Sequence, residues 1–259
     1  MIKLVDLSYQ VDGKLVLDRV NLEVGKGEIV AIMGRSGSGK TTILHLINGL
    51  VRPTGGEIWV EGREISRLNE RQLNQVRRRM ALVFQYSALF DSMTVADNVA
   101  FALRQHHLLP AREIPEAVAS RLELVGMEGS EALLPAQLSG GMQKRVAVAR
   151  ALAMAPEIIL YDEPTSGLDP VAAHEVDSLM RQLRSKLQVT SLVVSHDVVS
   201  LFRLADRIAV LHDGQFVALG TTAELLTSTV PIVRQFIEGR LEMPARADAD
   251  PGRPGMERR

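Results

Sequence analysis

Gly34-Arg35-Ser36-Gly37-Ser38-Gly39-Lys40-Thr41 has the spacing G-x-x-x-x-G-K-[ST], a P-loop pattern suited to holding phosphate. Glycines let backbone N–H groups turn inward toward phosphate oxygens. A helix beginning where the loop ends adds unpaired donors and a partial positive charge. Lys40 is then placed to reach the β- and γ-phosphates, and Thr41 to offer its hydroxyl to Mg²⁺. A glycine-rich connecting turn is the plainer alternative, but the motif stands between a strand pattern and a helix pattern, as a P-loop must. A dinucleotide fingerprint fits worse, since Gly37-Ser38-Gly39 would need a glycine where Thr42 stands.

Further residues with chemical potential sit at the ends of apolar runs. Asp162-Glu163 closes Ile158-Ile159-Leu160-Tyr161. Acids at a strand end are often loop residues. Next to a P-loop, Asp162 can hold Mg²⁺ through its water shell and Glu163 can orient or deprotonate an attacking water. His196 follows Ser191-Leu192-Val193-Val194-Ser195. It can donate to a γ-phosphate or to the attacking water, or it can be a satisfied core histidine. Gln85 ends Met80-Ala81-Leu82-Val83-Phe84, and α/β sheets bind ligands at such strand ends. Ser139-Gly140-Gly141 precedes an alanine-rich helix and reads either as a second anion-binding element or as an ordinary N-cap. Asp169 before Pro170 suits a helix cap. Tyr9 can stack on a base, or be a half-buried strand tyrosine. His106-His107 is a solvated pair, because neighbours on a helix do not share a face. Arg77-Arg78-Arg79 reads as a solvated helix end.

The elements that must position these residues follow from periodicity. Ile29 to Met33 reads as a buried strand and Thr42 to Leu50 as a helix. Lys3 to Tyr9 and Leu15 to Val20 flank Asp12-Gly13, a hairpin signal that predicts an antiparallel layer ahead of the P-loop. Pro53 to Gly56 is a turn before a strand at Glu57 to Val60. Helices are predicted at 68–79, 94–105, 115–125 and 146–154, and the stretch 87–155 reads as a helical insert. A strand at 205–211, a hairpin at Asp213-Gly214 and short helices at 222–226 and 233–237 follow. From Met243 onward the composition predicts disorder.

Bulk properties narrow the function classes. The chain has 259 residues, 46% hydrophobic and 24% charged, with a formal net charge of -1. That balance fits a globular class and gives no basic footprint for nucleic acid. With no cysteine, disulfides, zinc–thiolate sites and thiol catalysis are excluded. The N-terminus lacks a signal-peptide layout, and no apolar run approaches the roughly 20 residues that span a bilayer. Work at a membrane would therefore need a partner.

In order along the chain, the P-loop, Gln85, Leu138-Ser139-Gly140-Gly141-Met142-Gln143, Asp162-Glu163, Ser166-Gly167-Leu168-Asp169 and His196 resemble the nucleotide-binding domain of ABC transporters over about residues 1 to 240. The resemblance implies an α/β fold: a RecA-like P-loop NTPase core, an N-terminal antiparallel β layer and a helical subdomain inserted at about 87–155. It implies ATP and Mg²⁺ as ligands, with Gly34 to Thr42 and Gln85 on the nucleotide and Thr41, Gln85 and Asp162 on the metal. By the same resemblance Glu163 and His196 are catalytic, Tyr9 is the stacking aromatic, and Asp169 belongs to the D-loop. Ser139-Gly140-Gly141 would close the ATP site of a second copy, making a head-to-tail homodimer, while the helical subdomain receives an integral-membrane permease.

The segment Phe84 to Val99, the signature Leu138 to Arg145 and Val233-Arg234-Gln235-Phe236-Ile237-Glu238-Gly239 resemble the Mla-type (toluene-tolerance) phospholipid transport ATPases. That implies a peripheral protein on the cytoplasmic face of the inner membrane, with a small STAS-domain partner to be sought at the C-terminal stretch. Methionine importers share the signature but carry an added regulatory domain, for which the roughly 20 residues after Gly239 leave no room. Other amino-acid importers usually show LSGGQQQR. A soluble ABC ATPase of the iron–sulfur assembly type, also a single domain, is the alternative outside transport.

Overall fold

The computed structural model describes residues 1–241. Ile29 to Met33 has no polar side chain, so a strand made from it needs cover on both faces. It forms β3 (Ile29–Gly34), buried throughout. β3 pairs in parallel with β8 (Thr190–Ser195) on one side and β9 (Arg207–His212) on the other. Beyond β8 lie β7 (Ile158–Asp162) and β6 (Met80–Val83), also parallel, and β10 (Gln215–Thr221) closes the far edge antiparallel to β9. The register aligns Val83 with Tyr161, Asp162 with Val194, Met33 with Ser195 and Gly34 with Leu211. Five carboxyl ends therefore meet along one rim of the sheet.

Alternate residues of each strand feed two different cores, as the period of two requires. Val30, Ile32, Leu160 and Val194 face a core shared with α1 (Lys40–Ile47) and a second sheet. That sheet is antiparallel, ordered β2-β1-β4-β5, from β1 (Ile2–Val11), β2 (Lys14–Val24), β4 (Gly55–Val60) and β5 (Arg63–Glu64). Ile29, Ala31, Met33, Ile159 and Tyr161 face the other core. It is built with α3 (Val95–Gln105), α4 (Ile114–Leu124), α5 (Gly140–Leu152), α6 (Pro170–Leu187), α7 (Val198–Leu204), α8 (Thr222–Leu226) and α9 (Pro231–Leu241). No helix among the described residues is long and apolar enough to cross a membrane.

Asp12 and Gly13 both take positive φ, 49° and 76°, the conformation a two-residue hairpin turn demands. Several boundaries differ from expectation for local reasons. α5 starts at Gly140, six residues before the predicted 146, because Ser139 caps it by accepting a hydrogen bond from the Met142 N–H at 3.3 Å. β4 begins inside the predicted turn, with Gly55 paired to Ser8. The helix expected at 68–79 shortens to α2 (Glu70–Arg77), defined by an Asn69–Gln72 capping box. The strand expected from Ala205 starts at Arg207, since the Asp206 carboxylate is occupied in accepting from the Ile29 N–H at 2.9 Å. Arg78 and Arg79 are exposed, as a solvated helix end requires, but Arg77 is not. Arg77 donates to the Asn48 and Gly49 carbonyls at 2.9 and 2.7 Å, closing the C-terminus of α1, and Arg79 pairs with Glu61 and Glu157. His106 and His107 are exposed. The disorder expected from Met243 lies outside the described residues.

One buried acid ties α6 to α7. Asp177 is fully buried and accepts from the Ser200 hydroxyl at 2.5 Å, but its second oxygen has no hydrogen-bond partner and lies 3.9 Å from Arg203. Burial raises its carboxyl pKa, opposed in part by Ser200 and Arg203. The folded state thus holds the proton more tightly than the unfolded chain, and this residue's stabilising share is lost as pH rises through the raised folded value. Asp177→Asn copies the neutral form. It should raise the melting temperature at pH 8 by about 2–4 °C, roughly 1 kcal/mol, with the gain shrinking toward pH 5. Paired thermal melts at the two pH values check both sign and slope.

Candidate functional site

The rim of the parallel sheet is where the strands release their chemically active residues. After Gly34 the chain turns through Arg35 to Gly39 and enters α1 at Lys40. A Cβ on Gly34 would lie 2.7 Å from both the Leu211 carbonyl oxygen and Ser38 Oγ, so only glycine fits. Gly37 and Gly39 take φ of 77° and 102°, a left-handed conformation that glycine adopts without a Cβ penalty. Gly39 is the N-cap of α1 and offers no side-chain cap, leaving the first helical N–H groups for a ligand. The buried hydroxyl of Ser38 has no partner either.

Lys40 is buried at 6% exposure. Its Nζ donates to the Gly34 and Arg35 carbonyls at 3.0 and 3.1 Å and lies 3.7 Å from Glu163 Oε1. Burial lowers its pKa, while Glu163 and Asp162 pull it back up. From the end of β7, one strand beyond β8, Asp162 Oδ1 accepts from the Thr41 hydroxyl at 3.0 Å. Burial raises the Asp162 pKa, opposed by that bond, so its charge is incompletely matched. Thr41, Asp162 and the Gln85 amide are oxygen donors of the kind a hard cation takes. Among the described residues no cluster of three or more His, Cys, Asp or Glu forms an all-protein metal cage.

Glu163 sits in the left-handed region at φ 47°, an uncommon conformation for a non-glycine residue that is frequent at functional sites. It is 8% exposed. Its Oε2 contacts three groups of the next strand end: the Ser195 hydroxyl at 2.9 Å, the His196 N–H at 3.3 Å and His196 Nδ1 at 2.9 Å. Gln85 donates from its amide to the Ser166 hydroxyl at 3.2 Å. Behind it, Lys144 on α5 donates to the Gln85 carbonyl, and Arg150 donates to those of Ala88 and Ser87 at 2.6 and 3.0 Å. Ser87 and Ala88 both have positive φ, 58° and 49°, so α5 clamps a strained loop.

Gly34, Arg35, Ser36, Gly37, Gly39, Lys40, Thr41, Thr42, Gln85, Glu163 and His196 line one cleft of about 530 Å³. Asp162 joins it through Thr41. Tyr9 is not on its wall. Tyr9 is cross-strand from the buried Leu17 and packs with it against the antiparallel-layer core. Leu17's neighbour Val16 packs against the same core and also lines the cleft. The Ser139 loop is absent from the wall too: Gly140 abuts Leu168 and Gly141 abuts Ala172, at 3.2 and 3.4 Å for an added Cβ. Asp169 caps α6, accepting from the Val171 and Ala172 N–H groups at 2.9 and 3.0 Å. Residue reading missed Ser195, Lys144, Arg150, Val16 and Phe236. Ser195 and Lys144 had a local signal, since one ends the strand before His196 and the other is a lysine inside a helix that must be covered. Val16 and Phe236 had none, because no short-range pattern places them in the cleft.

A phosphate-cradling loop between a parallel strand and a helix, with acids at the end of another strand of the same sheet, defines a P-loop NTPase. The chain belongs to the ABC transporter family, whose model matches residues 17–166, and is accordingly an ATP-binding ATPase of that family. It is 44% identical, over 95% of its length and 93% of the relative's, to the intermembrane phospholipid transport system ATP-binding protein MlaF of Haemophilus influenzae. It is 40% identical to the methionine import ATP-binding protein MetN of Carboxydothermus hydrogenoformans, over 92% of this chain and 71% of that one. Among solved structures, the ATP-binding cassette MJ0796, a dimer in a post-hydrolysis state bound to ADP and Pi, superposes with a TM-score of 0.77 at 34% identity, over 86% of this chain and 99% of that one.

Gly39→Ala places a side chain at φ 102°, with Leu17 and Val16 atoms 3.1 and 3.2 Å from the new Cβ. The substitution should cost on the order of 1–3 kcal/mol of stability and weaken nucleotide binding. Urea unfolding and nucleotide titration of the same variant measure the two effects.

Proposed function

We propose that this chain is the ATP-hydrolysing subunit of an ABC transporter for phospholipids. In this reading it works as a homodimer on a membrane permease at the cytoplasmic face of the inner membrane. The observation that carries the ATPase chemistry is the convergence of Lys40, Asp162, Glu163 and His196 in one cleft. The lipid substrate is supported by the likeness to MlaF along nearly the whole of both chains. The likeness to MetN leaves more than a quarter of that relative unmatched.

In the mechanism the loop N–H groups from Gly37 to Thr42 take the β- and γ-phosphate oxygens. Lys40 exchanges the Gly34 and Arg35 carbonyls for the phosphates, a trade of two neutral acceptors for charged ones. The unmatched charge on buried Asp162, the Thr41 hydroxyl and the Gln85 amide fit Mg²⁺, a cation that takes few protein ligands and keeps water and phosphate in its shell. When bound there Mg²⁺ supplies charge neutralisation at the phosphates. Glu163 orients the attacking water and accepts its proton, and His196 donates toward the γ-phosphoryl oxygens. Ser195 holds the Glu163 carboxylate in place. Catalysis then rests on positioning and electrostatics.

Ser139-Gly140-Gly141, facing away from its own cleft, closes the site of a second copy, with Asp169 beside it. Residues 1–240 act as the ATPase unit, and the helices within 87–155 form the surface that receives the permease. A small STAS-domain partner would dock near the C-terminal stretch.

Glu163→Gln should keep ATP binding and lower turnover by about 100-fold or more. Turnover at the wild-type rate would exclude Glu163 as the base. Affinity purification from detergent-solubilised membranes should bring down a multi-span permease with phospholipid detectable by mass spectrometry. A wholly soluble set of partners would favour the iron–sulfur assembly class instead.

A further inference from the structure

The cleft has one apolar wall that no P-loop chemistry asks for. Phe236, on the C-terminal helix α9, lines it together with the P-loop, Gln85, Glu163 and His196. The helix is anchored: Val233 and Ile237 are buried at 0% and 8% exposure in the same core as the sheet. Phe236 lies three residues after Val233, one helical turn on, and packs partly buried against that core. One residue before it, Gln235 accepts from the Arg35 guanidinium at 3.3 Å, tying α9 to the second residue of the P-loop. The helix packs on α7, which begins two residues after His196. Phe236 therefore reaches the cleft from the His196 flank. Val16, the other apolar lining residue, reaches it from the opposite side, against Gly39.

We propose that α9 is a structural part of the nucleotide site: Phe236 closes the γ-phosphoryl flank of the cleft, and Gln235 positions Arg35 of the P-loop beside it. This rests on the reading of the cleft as an ATP site. An aromatic ring at that flank displaces water from the end where the third phosphate arrives. The Lys40 charge then acts through a less polar medium, in which its attraction for phosphate is stronger. The effect falls on the γ-phosphoryl group, so α9 distinguishes triphosphate from diphosphate. By linkage, a triphosphate in the cleft also holds α9 down.

The test uses the full chain and equilibrium titration with ADP and with a non-hydrolysable ATP analogue. Lys40→Ala first separates the two levels of the argument. If it leaves both affinities unchanged, the reading of the cleft as the ATP site fails, and with it the inference. With that reading standing, Phe236→Ala should weaken the ATP analogue roughly fivefold or more and ADP by less than about twofold. Phe236→Leu, which keeps the wall apolar, should recover most of the loss. Gln235→Ala should move in the same direction by a smaller factor, and Arg234→Ala, whose guanidinium pairs with Glu238, should not. In the unmodified chain the ATP analogue, but not ADP, should raise hydrogen-exchange protection of residues 231–238. Equal losses for the two nucleotides, no loss for either, or tighter binding of the analogue by Phe236→Ala would overturn the proposal. So would exchange in α9 that ignores the nucleotide.

Discussion

The parallel pairing of β3 between β8 and β9 is the constraint on which the remainder of the molecule depends. Parallel strands place all their carboxyl ends on one rim, and every polar side chain that lines the cleft comes from that rim, from the P-loop or from the start of α1. Because Met33 is level with Ser195, and Asp162 with Val194, the P-loop, the Asp162-Glu163 pair and the Ser195-His196 pair arrive side by side. A slip of one residue in any of these pairings would exchange the two core faces of a strand and turn its terminal residue away. The two cores enforce the register, since Val30 and Ile32 belong to one and Ile29, Ala31 and Met33 to the other.

That arrangement concentrates charge where water is scarce. Lys40, Asp162, Glu163 and Lys144 are all less than 9% exposed, and buried charges persist only when paired or hydrogen-bonded. Each has at least one local hydrogen-bond partner. Lys40 rests on two carbonyls of its own loop, Glu163 is held by Ser195 and His196, Asp162 by Thr41, and Lys144 by the Gln85 carbonyl. Several of these bonds go to carbonyl and hydroxyl groups, which a phosphate oxygen or a divalent cation can replace with stronger, charge-assisted contacts. The positive φ of Glu163 and of the Ser87-Ala88 pair places backbone strain at the same rim. The site is thus held ready by contacts weaker than those its ligand offers.

The signature loop adds an asymmetry. Ser139, Gly140 and Gly141 lie against Leu168 and Ala172, at the start of α6, and not in the cleft. Gly140 and Gly141 open α5, whose Lys144 and Arg150 grip the Gln85 loop. One rigid helix therefore carries a glycine-rich, outward-facing N-terminus and also supports the strand-end amide of its own cleft. In a head-to-tail pair such a helix would join one site to the other mechanically.

Much of this was legible in the residues. The P-loop, the strand-end acids, Gln85 and His196 are short patterns in which composition and spacing carry the chemistry, and flanking apolar runs declare their strands. Local chemistry also predicted the hairpin at Asp12-Gly13, and it held capping among the readings open to Ser139 and Asp169. Positions decided by long-range packing were not legible. Tyr9 pairs across the strands with Leu17 and packs with it against the antiparallel-layer core, a placement its immediate neighbours do not declare. Arg77 looked solvated and instead closes a helix 28 residues away in sequence. Phe236 lies 200 residues from the loop whose cleft it walls, as the Arg35–Gln235 bond beside it records. A sequence declares what each segment can do through neighbours one to four residues apart. Which distant segments meet is settled only when the cores close, since burial is shared among elements and no single segment encodes it.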